Sequence, residues 1–167
     1  KTLDSFKKLI SEVRETAYKE TKTEPVLIMQ ATHSGRYSKP NGVPEPLIAY
    51  NKPIFEGDNP ISSDRILSDD YLKALEEKYA VSAKLAQEAG FDGVDIKCCH
   101  GYLMSELMGA YLRKGDYGGS YENRTRLYFN AFQNAKNAVS DDFIVTSRIN
   151  VYDGFPYPYG FGVNEHD

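Results

Sequence analysis

The run Gly90-Phe91-Asp92-Gly93-Val94-Asp95-Ile96-Lys97-Cys98-Cys99-His100-Gly101-Tyr102-Leu103 constrains the fold more than any other stretch of this 167-residue chain. Gly90 follows a long helical pattern and reads as its stop, because glycine reaches the left-handed conformation that closes a helix. Val94 and Ile96 then share one face of a short strand, and Asp95 and Lys97 share the other. The strand leaves through a turn holding His100 and Tyr102. In a parallel α/β protein the carboxyl ends of strands are where chemistry sits, so this turn is the first candidate for function.

The flanking segments have the same grammar. Phe6, Leu9, Ile10, Val13 and Ala17 recur at helical spacing over residues 3–20. The run Pro25-Val26-Leu27-Ile28-Met29-Gln30 is short, continuous and apolar, as expected of a buried parallel strand. Residues 31–67 show neither period and predict a long functional or disordered loop. Ser68 caps a helix that begins with Asp69 and Asp70, turns Leu72, Leu75, Tyr79, Ala83 and Ala86 to the core, and stops at Gly90. Ser120 caps another, with Leu127, Tyr128, Ala131, Phe132, Ala135 and Val139 inward, and residues 143–148 form a third strand. Residues 149–167 are rich in Tyr, Pro and Gly and read as loop. Repeated βα units predict a parallel sheet with right-handed crossovers. Three strands cannot close a barrel, so the expectation is one segment, residues 1–167, of a larger domain.

Composition narrows the function classes. A net charge of -4, with Lys and Arg spread along the chain, argues against nucleic acid as a partner. No run approaches the ~18 apolar residues of a membrane span, and the start lacks the apolar stretch of a signal peptide. The two cysteines, Cys98 and Cys99, are adjacent, which excludes a disulfide framework and lacks metal-ligand spacing. A cytoplasmic protein with two small buried thiols is the expectation.

Four segments, in order, resemble the old yellow enzyme family of flavin-dependent ene-reductases, which includes the NADH:flavin oxidoreductase and 2,4-dienoyl-CoA reductase types. Gln30-Ala31-Thr32-His33-Ser34-Gly35-Arg36 resembles the Gln-x-x-His-x-Gly-Arg segment that ends the third barrel strand. Asp64-Arg65-Ile66-Leu67-Ser68 is similar to the segment before the third helix, and residues 90–103 to the fourth strand with its active-site turn. Asp116-Tyr117-Gly118-Gly119-Ser120-Tyr121-Glu122-Asn123-Arg124-Thr125-Arg126 matches the Tyr-Gly-Gly-Ser-x-Glu-Asn-Arg signature, less one spacer residue before it. The resemblance implies α/β architecture: part of a TIM (βα)8 barrel, from about helix 2 to strand 5, holding FMN at its C-terminal face. A whole barrel takes roughly 250 residues.

What the resemblance implies for single residues is specific. Tyr102 is the expected proton donor to a substrate double bond that receives hydride from reduced flavin; an unperturbed phenol, with a pKa of ~10, keeps its proton at neutral pH. His100 and Lys97 stand where the family holds a substrate carbonyl oxygen, so that charge built up on it is stabilised. Lys97 departs from the common His at its position. Asp95, ~7 Å back along the same strand face, is the expected partner of its ammonium, and a purely structural ion pair is the alternative. Gln30 and Arg148 are the expected flavin contacts, and His33 and Arg36 the residues that hold the loop after the first strand. The segment from Gly109 to Gly115 is off the family pattern, and no contact carries over to it.

The implied activity is NAD(P)H-dependent reduction of activated C=C bonds in small enone-like substrates, through FMN and without a metal at the site. Some relatives add a 4Fe–4S cluster and a further domain after the barrel, and a homo-oligomer is compatible with the family. Two other readings stay open: a cofactor-free, non-catalytic half-barrel, and a metal-dependent barrel hydrolase using Asp95, His100 and His33.

Overall fold

A computed structural model describes residues 2–166. Three strands, β1 (Ile28–Ala31), β2 (Gly93–Ile96) and β3 (Ile144–Thr146), form one parallel sheet in the order β1-β2-β3. The strands alternate with α1 (Thr2–Thr21), α3 (Asp69–Ala89) and α5 (Tyr121–Asn137), as the sequence pattern predicts. Two short helices, α2 (Pro53–Glu56) and α4 (Leu103–Met108), have no amphipathic period and went unanticipated.

Local chemistry sets the helix ends. The Ser68 hydroxyl accepts from the Tyr71 N–H at 3.1 Å, and the Ser120 hydroxyl accepts from the Asn123 N–H at 3.3 Å. Gly90 closes α3 at φ 97°. Along the strands, Met29, Ala31, Val94, Ile96 and Val145 turn to the helical side. There they meet Leu72, Tyr79, Ala83 and Ala86 of α3 and Leu127, Ala131 and Ala135 of α5. The facing alanines let the two helices approach closely, and each buried Leu, Ile or Val contributes roughly 1.5–3 kcal/mol.

The opposite sheet face has no helical cover among the described residues. Ile28, Gln30, Ile144 and Thr146 are exposed on it. Gly93 lies between the two isoleucines in register. A Cβ there would sit 2.6 Å from the Ile144 carbonyl oxygen and 2.8 Å from Ile28 Cδ1, so only glycine fits.

α1 forms where the spacing predicts a helix, and its apolar stripe is largely exposed: Leu9 is 51% exposed and of the helix residues only Ile10 is buried. The helix packs on α3, with Phe6 against Phe91 and Arg14 to Asp92 beside it. One expectation is corrected: residues 31–67 are mostly loop, as expected, but an ordered one rather than a disordered one. They hold a parallel bridge between Ile48 and Ile66, bury Ile48, Ala49 and Tyr50, and are tied down by long-range polar contacts.

Those contacts tie the loop to α4, to the start of α3 and to the chain after β3. Arg36 donates to Glu106 at 2.7 Å and to Glu56, and its guanidinium stacks 4.6 Å from the Phe55 ring. The buried Lys52 ammonium donates to the Tyr159 carbonyl at 2.9 Å. Arg113 donates to the carbonyls of Ala49 and Leu67 and to the Asp69 carboxylate. The chain after β3 packs back onto this cluster, with Phe155 edge-on to Phe55 and Tyr157 edge-on to Tyr111. No helix among the described residues is long and apolar enough to cross a membrane.

Candidate active site

The uncovered sheet face and the turn after β2 carry the candidate residues. Parallel register sets Gln30, Asp95 and Thr146 side by side. Gln30 Nε2 donates to Asp95 Oδ2 at 2.7 Å, and the Arg148 backbone N–H donates to Asp95 Oδ1 at 2.8 Å. Asp95 thus bridges the two expected flavin contacts. Among the described residues nothing donates to the Gln30 amide oxygen, and Arg148 has an exposed side chain.

Asp95 does not pair with Lys97, contrary to expectation. Both carboxylate oxygens are committed across the sheet, and among the described residues no ion pair joins the two. Lys97 is instead only 7% exposed, with its ammonium 3.6 Å from the centroid of the Tyr102 ring. The same ring also meets Tyr37, at a centroid distance of 5.6 Å. Tyr102 is half-buried in contact with a cation and an aromatic ring, contacts that restrain its orientation.

The turn between them is strained. His100 at φ 62° and Gly101 at φ 67° are both left-handed, and the Tyr102 N–H donates to the Cys99 carbonyl at 3.3 Å. This is the pattern of a type I′ turn. A histidine in that conformation costs about 1 kcal/mol relative to glycine. The turn leaves His100 exposed and starts α4 with Tyr102 as its N-cap. Lys97 and Tyr102 are therefore in contact, whereas His100 stands at the solvent edge of the same turn.

The turn rests on the loop after β1. The Leu103 N–H donates to the His33 carbonyl, and Gly35, at φ 57°, lies so close that a Cβ would be 2.7 Å from the Leu103 nitrogen. His33 Nδ1 accepts from the Gly35 N–H, and its Nε2 contacts the Tyr71 hydroxyl at 3.0 Å. Burial holds the imidazole below its ordinary pKa. Both ring nitrogens thus have partners, one in the loop and one on α3, which removes His33 from the ligand set a metal hydrolase would need.

The Tyr-Gly-Gly-Ser-x-Glu-Asn-Arg signature is a latch. The Tyr117 hydroxyl donates to Glu76 at 2.7 Å, and Arg124 donates to the carbonyls of Gly119 and Met108 beneath Tyr111. Cys98 and Cys99 are buried, and burial raises both thiols above their ordinary pKa. Arg113 and Lys52 were not singled out from the sequence; their partners lie 64 and 107 residues away, beyond any local pattern.

Residues 2–160 match the NADH:flavin oxidoreductase / NADH oxidase family. The chain belongs to that family. It is 30% identical over 129 residues to an NADH-dependent flavin oxidoreductase of Aspergillus parasiticus, covering 75% of this chain and 29% of that protein. It is 38% identical over 109 residues to 12-oxophytodienoate reductase 1 of Oryza sativa subsp. japonica, covering 60% of this chain and 28% of that protein. Among solved structures, Old Yellow Enzyme from a Pichia species superposes with a TM-score of 0.69 at 26% identity, over 92% of this chain and 41% of that one. The chain spans less than half the length of each of these proteins. Its parallel βα units are part of a TIM barrel of the old yellow enzyme kind, and the family is one of flavin-dependent oxidoreductases using NADH.

Proposed function

We propose that the chain is the helix 2 to strand 5 segment of an FMN-dependent ene-reductase that reduces activated C=C bonds of α,β-unsaturated carbonyl compounds. The observation that carries this reading is the meeting of a phenol and a buried ammonium, beside a Gln–Asp–Arg row, at the edge of the uncovered face of a parallel sheet.

The row fits a flavin. Gln30 offers an acceptor for an N–H of the pyrimidine edge and Arg148 a cation for the negative charge of the reduced ring. When bound, FMN supplies hydride taken from NAD(P)H. Lys97 and His100 hold the substrate carbonyl oxygen and stabilise the negative charge that builds there. Tyr102 donates its O–H proton to the carbon next to the one that gains hydride and recovers a proton from solvent. The names of the relatives, a flavin oxidoreductase using NADH and a reductase, agree with this direction of chemistry.

Isotope labelling tests it. Full-length protein turning over NADH and 2-cyclohexenone in D2O is expected to place solvent deuterium on the carbon next to the carbonyl and none on the β-carbon. Purified protein without FMN, or NADH consumption that the enone does not accelerate, contradicts the proposal.

A further inference from the structure

Tyr102 stands at the N-cap of α4, and its side chain makes no capping hydrogen bond, so contacts to its ring decide where the hydroxyl points. One is the Lys97 ammonium, 3.6 Å from the ring centroid. Another is Tyr37, whose ring lies at a centroid distance of 5.6 Å and an interplanar angle of 44°.

Tyr37 ends a single 3-10 turn, Gly35–Tyr37, and each residue of that turn meets the start of α4. Gly35 leaves room for the helix backbone, since a Cβ there would be 2.7 Å from the Leu103 nitrogen. Arg36 donates to Glu106 at 2.7 Å. Tyr37 takes Tyr102, and its hydroxyl lies by Gly101, 3.5 Å from where a Cβ would stand. The Glu106 N–H donates to the Tyr102 carbonyl at 2.8 Å, so Arg36 and Tyr37 grip positions one turn apart on the same helix.

The three residues differ in what they give the fold. Gly35 is buried, and the Arg36 side chain is 12% exposed against a Glu106 side chain that is 2% exposed. Tyr37 is 52% exposed. A half-exposed ring contributes little stability through burial, yet this one is held by a buried turn against the proposed proton donor. Orientation is what such a contact governs. A general acid has to bring its hydroxyl within ~3 Å of the atom it protonates, and a misplacement of about 1 Å can cost as much as 10²-fold in rate.

We propose that Tyr37 is a positioning residue for the reduction: its ring holds the Tyr102 phenol at the angle from which the proton is delivered. This role rests on the ene-reductase reading and adds to it a residue that acts through Tyr102 rather than on the flavin.

Rapid-mixing kinetics of the full-length, FMN-loaded protein, arranged as a double-mutant cycle, tests the role. An aromatic pair of this separation is coupled by an energy equivalent to about three- to tenfold in a rate. Tyr37→Ala is therefore expected to slow oxidation of the reduced flavin by 2-cyclohexenone by about that factor, with reduction of the flavin by NADH unchanged. Tyr37→Phe keeps the ring and should stay within about twofold of the wild type. In a Tyr102→Phe background, Tyr37→Ala should cause no further slowing, because the hydroxyl it positions is gone. Flavin content and thermal midpoint verify folding; should Tyr37→Ala lose its flavin, Tyr37→Leu takes its place, keeping bulk without a ring. Wild-type oxidation in Tyr37→Ala, equal slowing of both half-reactions, a Tyr37→Phe variant as slow as Tyr37→Ala, or full additivity with Tyr102→Phe each overturns the inference. Additivity would make Tyr37 a substrate contact instead. The underlying reading fails differently: wild-type oxidation in Tyr102→Phe removes the proton donor, and Tyr37's role with it. A slow Tyr102→Phe beside a wild-type Tyr37→Ala removes the role of Tyr37 alone and leaves the ene-reductase standing.

Discussion

His100 shows how much of this site is written into single residues. Its φ of 62° is uncommon for a side chain bearing a Cβ, and strained backbone of this kind persists where surrounding structure enforces it. Here the enforcement comes from β2 on one side and from the start of α4, pressed on Gly35, on the other. The strain is testable apart from the chemistry. His100→Gly and His100→Ala both remove the imidazole, but only alanine keeps a Cβ in the left-handed region. Urea unfolding is expected to find the glycine variant more stable than the alanine variant by about 1 kcal/mol. Equal stabilities would contradict the left-handed turn. Both variants should bind an enone more weakly than the wild type.

At the scale of elements, α4 matters most, because it carries Tyr102 at its start and is buried along its length. Its Glu106 meets Arg36, which also reaches Glu56. Burial raises the Glu106 pKa despite the Arg36 guanidinium. Removing Glu106 leaves Arg36 paired with Glu56 but strips one of its two buried acceptors, so Glu106→Ala is expected to cost about 1–3 kcal/mol and Glu106→Gln less. The sign of the pH dependence follows from the raised value. Between the ordinary glutamate range and that value the folded state binds more protons than the unfolded state, so wild-type stability falls as pH rises through the window. Glu106→Gln should lack that component, measurable as a flatter stability–pH curve.

The elements divide cleanly by how local their causes are. Ser68, Gly90 and Ser120 mark α3 and α5 in the sequence because capping is decided within a few residues, and Val94 against Asp95 marks β2 by simple alternation. The pairing of Lys97 with the Tyr102 ring instead of Asp95 was not legible, since it depends on which neighbours claim the Asp95 oxygens across the sheet. Residues 31–67 looked structureless for a related reason. Their order comes from Arg113, Lys52 and Arg36, whose partners are remote in sequence.

At the scale of the whole molecule, the sheet is covered by helices on one face and bears the candidate site on and beside the other. Parallel sheets ordinarily bury both faces, and in the TIM barrels this chain resembles the second face is the barrel interior, with chemistry at the strands' C-terminal ends. The site lies at those ends: Gln30 near the end of β1, Lys97 just past β2 and Arg148 just past β3. Rapid-mixing kinetics of the full-length Tyr102→Phe variant tests the central claim most directly, because it separates delivery of electrons to the flavin from delivery of a proton to the substrate. Oxidation of the reduced flavin by 2-cyclohexenone is expected to slow by about 10²–10⁴-fold while reduction of the flavin by NADH stays unchanged. Equal slowing of both half-reactions, or of neither, would contradict the assignment of Tyr102 as the proton donor.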